Sequence, residues 1–226
     1  MKIIFQDKDL IVVDKPAKLK VYGKDSEDSL MKQLINDFPD LISVGISPRY
    51  GLIHRLDKET SGVILVARNQ SSLSFFQKQF LNRQVNKTYM GLIHGHINPK
   101  NGILKSFLTR SPKDFRKQKA IPIPLSGQER VAETIYKTKE EFSKYTLLEI
   151  KPKTGRMHQI RAQMAWKGCP IVGDQLYQFK GQTEPACLKR MFLHSMSIKI
   201  AMPNQQERLF QAELPEELKE VINCLS

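Results

Sequence analysis

The apolar residues of the chain follow two spacings, and the shorter one marks strands. "KIIFQ" and "LIVVD", separated by the polar "DKD", predict two strands joined by a turn. The unbroken apolar run at 63–67 predicts a buried strand, and the segments at 131–138 and 145–150 are expected to pair. Further strand-like segments lie at 87–95, 103–108, 171–172 and 191–200.

A spacing of three and four residues marks the helices. The first is predicted over 29–38 and ends before Pro39, because proline disfavours a helical residue in front of it. The second follows Asn69, a suitable N-cap. A third is predicted over 158–167 and a fourth after Pro215. The apolar residues expected to share one helix face are Leu73, Phe76, Phe80 and Leu81 in the second helix and Leu218, Val221 and Ile222 in the fourth.

The order of these elements indicates the fold class. Strands outnumber helices and do not alternate strictly with them, which favours an α+β fold with a mixed, largely antiparallel central sheet and flanking helices. A chain of 226 residues can bury one well-formed core, so we expect a single domain over 1–226. The basic segment "SPKDFRKQKA" at 111–120 is expected to form an exposed loop.

Composition argues against several classes of protein. The apolar runs are far shorter than the roughly 20 residues of a membrane span. The N-terminus has no signal-peptide core with a small-residue cleavage site, so we expect a cytoplasmic protein. Cys169, Cys187 and Cys224 are odd in number and widely spaced, which indicates reduced thiols rather than disulfides or a cysteine zinc site.

The charge of the chain points to a polyanionic partner. The formal net charge is +13, and lysine and arginine contacts to phosphates supply most of the non-specific affinity for nucleic acids. A generally basic protein without such a partner is the alternative. A membrane-surface protein is disfavoured, because no segment combines a lysine-rich face with one rich in Trp, Phe and Leu.

The stretch "GLIHRLDKETSG" places one carboxylate, Asp57, between Arg55 and Lys58. Neighbouring cations favour the ionised form of a carboxylate, which suits a nucleophile or base better than an acid. The following Thr-Ser-Gly can form a tight bend before the strand. Taken alone, the pattern also fits an aspartate that caps a turn and pairs with Arg55 on the surface.

Two further segments carry candidate chemistry. "KPKTGRMHQIRAQM" places Arg156, His158 and Arg161 around the predicted start of a helix, which could form a phosphate site or a carboxylate clamp, or simply a solvated helix end. Tyr89 shares a strand face with Lys87. An aromatic ring beside a cation can stack on a base, although a core tyrosine has the same pattern.

Other patterns give weaker indications. His94 and His96 could bind a metal, but no third ligand stands at a convincing spacing. Asp174 could approach Asp57 in space, but the sequence does not establish the carboxylate pair that a glycosidase needs. Neither glycine-rich nucleotide-binding motif is present, so we expect no nucleotide cofactor.

Taken together, the motifs resemble the RluA-type pseudouridine synthases over almost the whole chain. "GLIHRLDKETSG", "KTYMGLIHG", "KPKTGRMHQIRAQM" with "GCPIVGDQLY", and "FLHSMSIKIAMP" occur in the order of that family, and "DKDLIVVDKP" and "FRKQKA" are also similar to its segments. The resemblance implies the pseudouridine synthase fold and an enzyme that isomerises uridines in RNA without cofactor or metal. It also implies ribosomal or transfer RNA as the partner of a monomeric catalytic domain.

The resemblance assigns roles to the residues that match its motifs. It implies that Asp57 is the catalytic aspartate, that Tyr89 stacks on the target base and that Arg161 pairs with Asp57. Arg55 is similar to an arginine that engages RNA around the flipped nucleotide, and Leu193 lies in a stretch that lines the uracil pocket. The other residues expected to contact RNA are Arg116, Lys117, Lys119 and Arg156.

The reaction explains why such residues are needed. Uracil must leave C1′ through N1 and return through C5, and its removal from the helical stack costs a few kcal/mol. Stacking on Tyr89 could offset about 1–3 kcal/mol of that cost. An ionised Asp57 could attack C1′, stabilise an oxocarbenium-like state, help to remove a proton or add to C6. The sequence does not choose between these routes.

The chain also departs from the family pattern. Lys18 stands where relatives commonly carry glycine, so the loop after the second strand is expected to differ in shape. Gln178 is a separate departure at a position where glycine is frequent. We expect no N-terminal S4-type RNA-binding domain, which would leave substrate choice to the catalytic domain, including its segments 20–50 and 113–119. The competing hypotheses are a non-catalytic RNA-binding or ribosome-assembly protein of this fold, and an RNA hydrolase, which would need a second acid or a metal.

Overall fold

The computed structural model describes residues 2–23 and 28–225, so residues 24–27 of the segment 20–50 lie outside the described part. The chain divides into two compact units. The first comprises Met1–Lys87 and Ser195–Glu213, and the second comprises Thr88–His194 and Leu214–Ser226. No helix of the described residues has the length and apolar character needed to cross a membrane.

Within the described residues the chain forms ten strands, four α-helices and one 3₁₀ helix. The strands are β1 (Lys2–Gln6), β2 (Leu10–Lys15), β3 (Ser61–Ala67), β4 (Asn86–His94), β5 (Asn101–Arg110), β6 (Gln118–Ile121), β7 (Arg130–Glu141), β8 (Tyr145–Pro152), β9 (Leu193–Ala201) and β10 (Glu207–Gln211). The α-helices are α1 (Leu30–Asp37), α2 (Gln70–Leu81), α3 (Gln159–Trp166) and α4 (Glu216–Leu225), and the 3₁₀ helix is Pro39–Ser43.

The first unit is built on the strand order β1-β2-β3-β9, with β10 paired to β9. The β1–β2, β2–β3 and β9–β10 pairs are antiparallel. Every residue of β3 is buried, as expected for an apolar run that lies between two other strands. Leu73 and Phe76 of α2 pack into the same core as Val63 and Leu65. This core carries the loop that contains Asp57 and leads into β3.

The second unit is built on the order β4-β8-β7-β5-β6, in which each neighbouring pair is antiparallel. Its helix α4 buries Leu218 and Val221 against residues of β4 and β8. Ala162 of α3 packs in a separate small cluster with Leu108 and Ala132. The strands of both units confirm the predicted α+β class with a largely antiparallel arrangement.

Most of the predicted elements are confirmed, and the caps explain where the helices begin. The side chain of Ser29 accepts a hydrogen bond from Lys32 N, and that of Asn69 accepts one from Ser72 N. The paired strands predicted at 131–138 and 145–150 are β7 and β8.

Four predictions were incomplete or wrong. The segment 111–120 is not all loop, because Gln118–Ile121 pairs with β5 as β6. The strand predicted at 171–172 is a single bridge between Ile171 and Ile93. Leu81 ends α2 with 81% of its surface exposed rather than facing the core. Strand β10 was not predicted, because only Phe210 of its five residues is buried and the apolar pattern is correspondingly weak.

Candidate active site

Asp57 lies in the loop that leads into β3, and its side chain is half-buried. The backbone turns directly after it, because Thr60 N donates a 3.1 Å hydrogen bond to Asp57 O. Gly62 then takes a φ of +110°, and a Cβ there would lie 2.2 Å from Ser195 O. Only glycine allows this approach of two strands. The Thr-Ser-Gly after Asp57 is therefore explained by the sharp entry into a fully buried strand.

Lys15, at the end of β2, holds the same loop through hydrogen bonds of its ammonium group. Its side chain is fully buried at the end of β2, and its Nζ donates hydrogen bonds to Pro16 O at 2.7 Å and Leu19 O at 2.8 Å. The third acceptor is Lys58 O, at 3.2 Å. A buried ammonium is costly unless it is satisfied in this way. The sequence analysis did not identify Lys15, although a lysine inside an apolar strand before a proline was the available signal.

Arg55 lies on the exposed side of the loop. Its Nη1 donates a 2.9 Å hydrogen bond to the hydroxyl of Tyr22, and its guanidinium carbon lies 5.4 Å from the centre of that ring. Arg49 contacts Tyr22 in the same manner, at 3.0 Å and 5.0 Å. Arg55 thus points its charge outward, as an RNA contact requires, and it makes no ion pair among the described residues.

His54 anchors the loop on its other side. Its Nε2 accepts a 3.1 Å hydrogen bond from Leu65 N of β3, and its ring stacks on Phe80 with 4.7 Å between the ring centres. Burial lowers the pKa of His54 to about 3, with a further contribution from the charge of Lys87. The ring is therefore neutral at physiological pH, with its proton on Nδ1, because Nε2 is the acceptor.

Tyr89 and Leu193 both belong to the second unit, where Leu193 lies close to Gly91 of β4. Tyr89 is 9% exposed on β4, and Gly91 lies two residues further along, on the same strand face. A Cβ at Gly91 would lie 3.4 Å from the side chain of Leu193 and 3.0 Å from that of Ile150. The missing side chain at Gly91 leaves room for Leu193 on the face that carries Tyr89.

Arg161 is buried on α3 and forms a bidentate pair with Asp174. Nε donates to one carboxylate oxygen at 2.7 Å, and Nη2 donates to the other at 2.8 Å. The side chain of Asp174 is fully buried and also accepts hydrogen bonds from the backbone of Leu176 and Tyr177. The ring of Tyr177 lies 5.1 Å from the Arg161 guanidinium carbon. Asp174 is thus committed to positioning Arg161, which argues against its use as a catalytic acid.

The polar residues before α3 fix its start. Thr154 Oγ1 donates a 2.7 Å hydrogen bond to Gln159 Oε1, and Gln159 Nε2 donates to Glu133 O at 3.0 Å.

His158 adopts a left-handed φ of +52° at the N-cap, with Nδ1 3.1 Å from the Tyr177 hydroxyl. Arg156 Nε donates to Val131 O at 3.2 Å. The "TGRMHQ" residues therefore act largely as a scaffold that sets the direction of α3.

The basic segment predicted to bind RNA is exposed but partly paired. Arg116 forms a bidentate pair with Asp114, with distances of 3.0 Å and 2.9 Å. These hydrogen bonds lower the pKa of Asp114 to about 2. Lys119 is exposed, and Lys117 is half-buried.

No metal site was found among the described residues, where no three His, Cys, Asp or Glu side chains come together as ligands. His94 Nε2 instead lies 3.5 Å from Glu184, and His96 Nδ1 lies 3.2 Å from the Thr146 hydroxyl.

Comparison with known proteins identifies the family. The model of the family described as RNA pseudouridylate synthase matches residues 9–166. The chain belongs to this family. A ribosomal large subunit pseudouridine synthase D of Borreliella burgdorferi is 33% identical over 94% of the chain and 65% of its own length. An uncharacterized RNA pseudouridine synthase of Aquifex aeolicus is 34% identical over 100% of the chain and 73% of its own length.

A solved structure supports the assignment. The human RNA pseudouridylate synthase domain containing 1 superposes with a TM-score of 0.81 at 26% identity, covering 99% of this chain and 87% of that one. The predicted family and fold are thereby confirmed. The chain spans only about two thirds of the length of its curated relatives.

Proposed function

We propose that the chain isomerises uridine to pseudouridine in RNA, with Asp57 as the catalytic carboxylate and without cofactor or metal. The observation that carries the proposal is that this chain, a member of the family, places Asp57 in a fixed loop directly ahead of the buried strand β3. Its loop is fixed by the turn at Thr60, by the Lys58 carbonyl on Lys15 and by His54 on β3. A catalytic group works best when its surroundings hold it in one geometry.

The isomerisation breaks the N1–C1′ bond and forms a C5–C1′ bond. N1 gains a proton, and the hydrogen on C5 leaves as a proton. In our proposal the carboxylate of Asp57 acts at the sugar or the ring while the base turns. No net oxidation or reduction occurs, so the reaction needs no redox partner.

The target uridine must leave the RNA stack before it can react. We propose that Tyr89 stacks on the flipped base and that Leu193 lines the uracil pocket. Leu193 lies next to Gly91, on the face of β4 that also carries Tyr89, and this proximity supports the assignment. An aromatic ring contributes about 1–3 kcal/mol per stacked base, which offsets part of the cost of flipping.

Arg161 is proposed to pair with Asp57 and to keep that carboxylate ionised and oriented. The pair with Asp174 uses Nε and Nη2, so the guanidinium plane is fixed by a fully buried carboxylate. A fixed guanidinium can orient a second carboxylate at little further entropic cost, since its planar fork is already ordered.

The proposed substrate is ribosomal RNA, because relatives over 30% identical are named for the large ribosomal subunit. Arg55, Arg116, Lys117, Lys119 and Arg156 are proposed to contact its backbone. Transfer RNA is the alternative substrate. We further propose that the protein acts as a monomer in the cytoplasm.

RNA labelled with tritium at C5 of uridine tests the proposal. Purified wild-type protein and Asp57→Asn would be incubated with separate ribosomal and transfer RNA pools. We expect tritium release by the wild type only, from one pool, and unchanged salt-sensitive RNA binding by the variant. Release by Asp57→Asn at the wild-type rate would refute the role of Asp57. Binding without release by either protein would favour the non-catalytic RNA-binding alternative.

A further inference from the structure

The first unit contains a cavity of about 480 Å³ beside the Asp57 loop, to which the proposed function assigns no ligand. Its volume falls in the range of small-ligand sites. Part of its wall is apolar, and part is polar and charged. The apolar lining residues are Ile46, Leu52, Ile53 and Leu73, and the polar lining residues include Tyr22, Arg49, Arg55, Gln70 and Gln77.

Two guanidinium groups meet at one side of this cavity. Arg49 and Arg55 donate to the same hydroxyl, that of Tyr22, at 3.0 Å and 2.9 Å. Neither arginine forms an ion pair within residues 2–23 and 28–225. Two exposed cations held together with no carboxylate of the described residues as a partner favour an anion at that place, and the guanidinium fork matches the geometry of a phosphate.

Two glutamine side chains offer further hydrogen bonds. Gln70 uses Oε1 to accept from Gly45 N at 3.0 Å, and Gln77 uses Nε2 to donate to Leu52 O at 3.3 Å. Their other amide groups, Nε2 of Gln70 and Oε1 of Gln77, make no hydrogen bond to a described residue. A glutamine amide can form a hydrogen bond to the edge of a base, so each of the two side chains retains one group that could contact a nucleotide.

The wall of the cavity is held in an unusual backbone conformation. Tyr50 has a φ of +42°, which is a genuine outlier for a bulky residue. Gly45 packs so closely that a Cβ there would lie 2.2 Å from Tyr50 O. Backbone strain of this kind persists only where the surrounding structure enforces it, and it concentrates at binding sites. The positive φ of Tyr50 and the close approach of Gly45 thus mark a constrained backbone in the wall of this cavity.

We propose that this cavity is a second nucleotide site, which binds a base of the substrate RNA a few positions away from the target uridine. The phosphate would lie on Arg49 and Arg55, and the base would enter the apolar part of the cavity beside the two glutamines. Arg55 is two residues from Asp57, so their Cα atoms are at most about 7 Å apart. The site is thus within reach of the same RNA strand. This inference rests on the proposed function, since it takes the RNA to be the substrate of Asp57.

Binding to a second base would give the enzyme sequence selectivity without an additional domain. A flipped target uridine has little to distinguish it from any other uridine. A neighbouring base read by Gln70 and Gln77 would select among them. The positive charge of the two arginines suits RNA but would also attract an acidic protein segment. Competition between oligouridylate and an acidic peptide distinguishes the two partners.

Photo-crosslinking tests the site independently of catalysis. The probe is a single-stranded oligouridylate containing 4-thiouridine, mixed with Asp57→Asn and irradiated, and the cross-linked peptides are mapped. We expect cross-links within 45–55 or 70–77. Adding Ile46→Glu, at a side chain that is 82% exposed, should reduce them about tenfold by placing a negative charge in the cavity. Ile42→Glu is the matched control, because Ile42 is 60% exposed nearby and does not line the cavity.

The salt dependence of binding adds a second measurement. Arg49→Ala should lower the slope of log K against log salt by about 0.7, the value for one phosphate contact on a single strand. An abasic oligomer of the same length should lose its sensitivity to Ile46→Glu, since it has no base to place in the cavity.

The outcomes separate this inference from the proposed function. Cross-links outside both segments, or equal oligouridylate binding by wild type and Ile46→Glu, would overturn the second site even if tritium is released. Preference for an acidic peptide over oligouridylate would overturn it as well. Cross-links in the cavity without tritium release would support the site and remove the proposed catalysis.

Discussion

The ammonium of Lys15 donates a 3.2 Å hydrogen bond to the carbonyl of Lys58, the residue that follows Asp57. A fully buried cation thus connects the end of β2 to the loop that carries the proposed catalytic aspartate. The two segments are 43 residues apart in the chain. We interpret Lys15 as a positioning residue for this loop, because its ammonium donates to the carbonyls of Pro16 and Leu19 as well as to that of Lys58.

We predict that Lys15→Met lowers both stability and turnover. Methionine fills a similar volume but donates no hydrogen bond, so the carbonyls of Pro16, Leu19 and Lys58 lose a charged donor. The loss should cost about 3 kcal/mol in urea unfolding. The rate of tritium release should fall by about tenfold or more, because the loop that carries Asp57 becomes less ordered.

Lys8→Met serves as the control for this change. Lys8 is exposed in the turn between β1 and β2, so the same substitution should leave stability and tritium release close to wild type. Equal midpoints for Lys15→Met and Lys8→Met would show that the buried ammonium does not hold the loop.

The site could be predicted from the sequence only where its residues occur in local motifs. Asp57, Tyr89 and Arg161 each lie in a short stretch with strong periodicity or a recognisable pattern. The pair of Arg161 with Asp174 spans 13 residues across a loop, and nothing in the spacing fixes it. The sequence analysis assigned no role to Lys15, because burial of a lysine depends on carbonyls that the fold brings from elsewhere. Long-range contacts of this kind are decided by the packing of the sheet.

His54 should make the stability of the protein depend on pH. Its pKa is about 3 in the folded protein and about 6.5 when exposed, so the unfolded chain binds more protons between those values. The stabilisation is fully present above pH 6.5 and is lost as pH falls towards 3, by at most about 1.4 kcal/mol per pH unit. His54→Gln removes the titrating group. The free energy of urea unfolding, measured from pH 7 to 5, should therefore decrease less steeply with falling pH for the variant than for the wild type. An equal pH dependence in the two proteins would contradict the prediction.

Lys18→Gly should stabilise the protein. Lys18 is an exposed residue with a φ of +65°, a conformation that costs a non-glycine residue about 1–2 kcal/mol. Glycine removes that cost but gains entropy in the unfolded chain, which leaves a net gain of about 0.5–1 kcal/mol. Lys20→Gly is the control, because Lys20 has no left-handed φ and should lose stability instead. Destabilisation by both substitutions in urea unfolding would refute the argument.

Asp174→Asn should destabilise the protein far more than Asp114→Asn. The first change removes the charged partner from a buried bidentate pair, at a cost of about 3–5 kcal/mol. The second breaks an exposed pair, whose loss is largely compensated by water. Thermal or urea unfolding of the two variants checks the contrast. Similar losses in both would mean that burial does not set the value of the Arg161 pair.

Tyr89 gives a direct test of base stacking. Tyr89→Phe keeps the ring and should change tritium release little, whereas Tyr89→Ala removes it and should lower kcat/KM about 5- to 150-fold, equivalent to about 1–3 kcal/mol. Because Tyr89 is 9% exposed, its truncation also removes packing, so unfolding of both variants must be measured alongside. A stacking role predicts that Tyr89→Ala loses activity even at temperatures where it remains fully folded. Equal activity of the folded alanine and phenylalanine variants would remove Tyr89 from the proposed site.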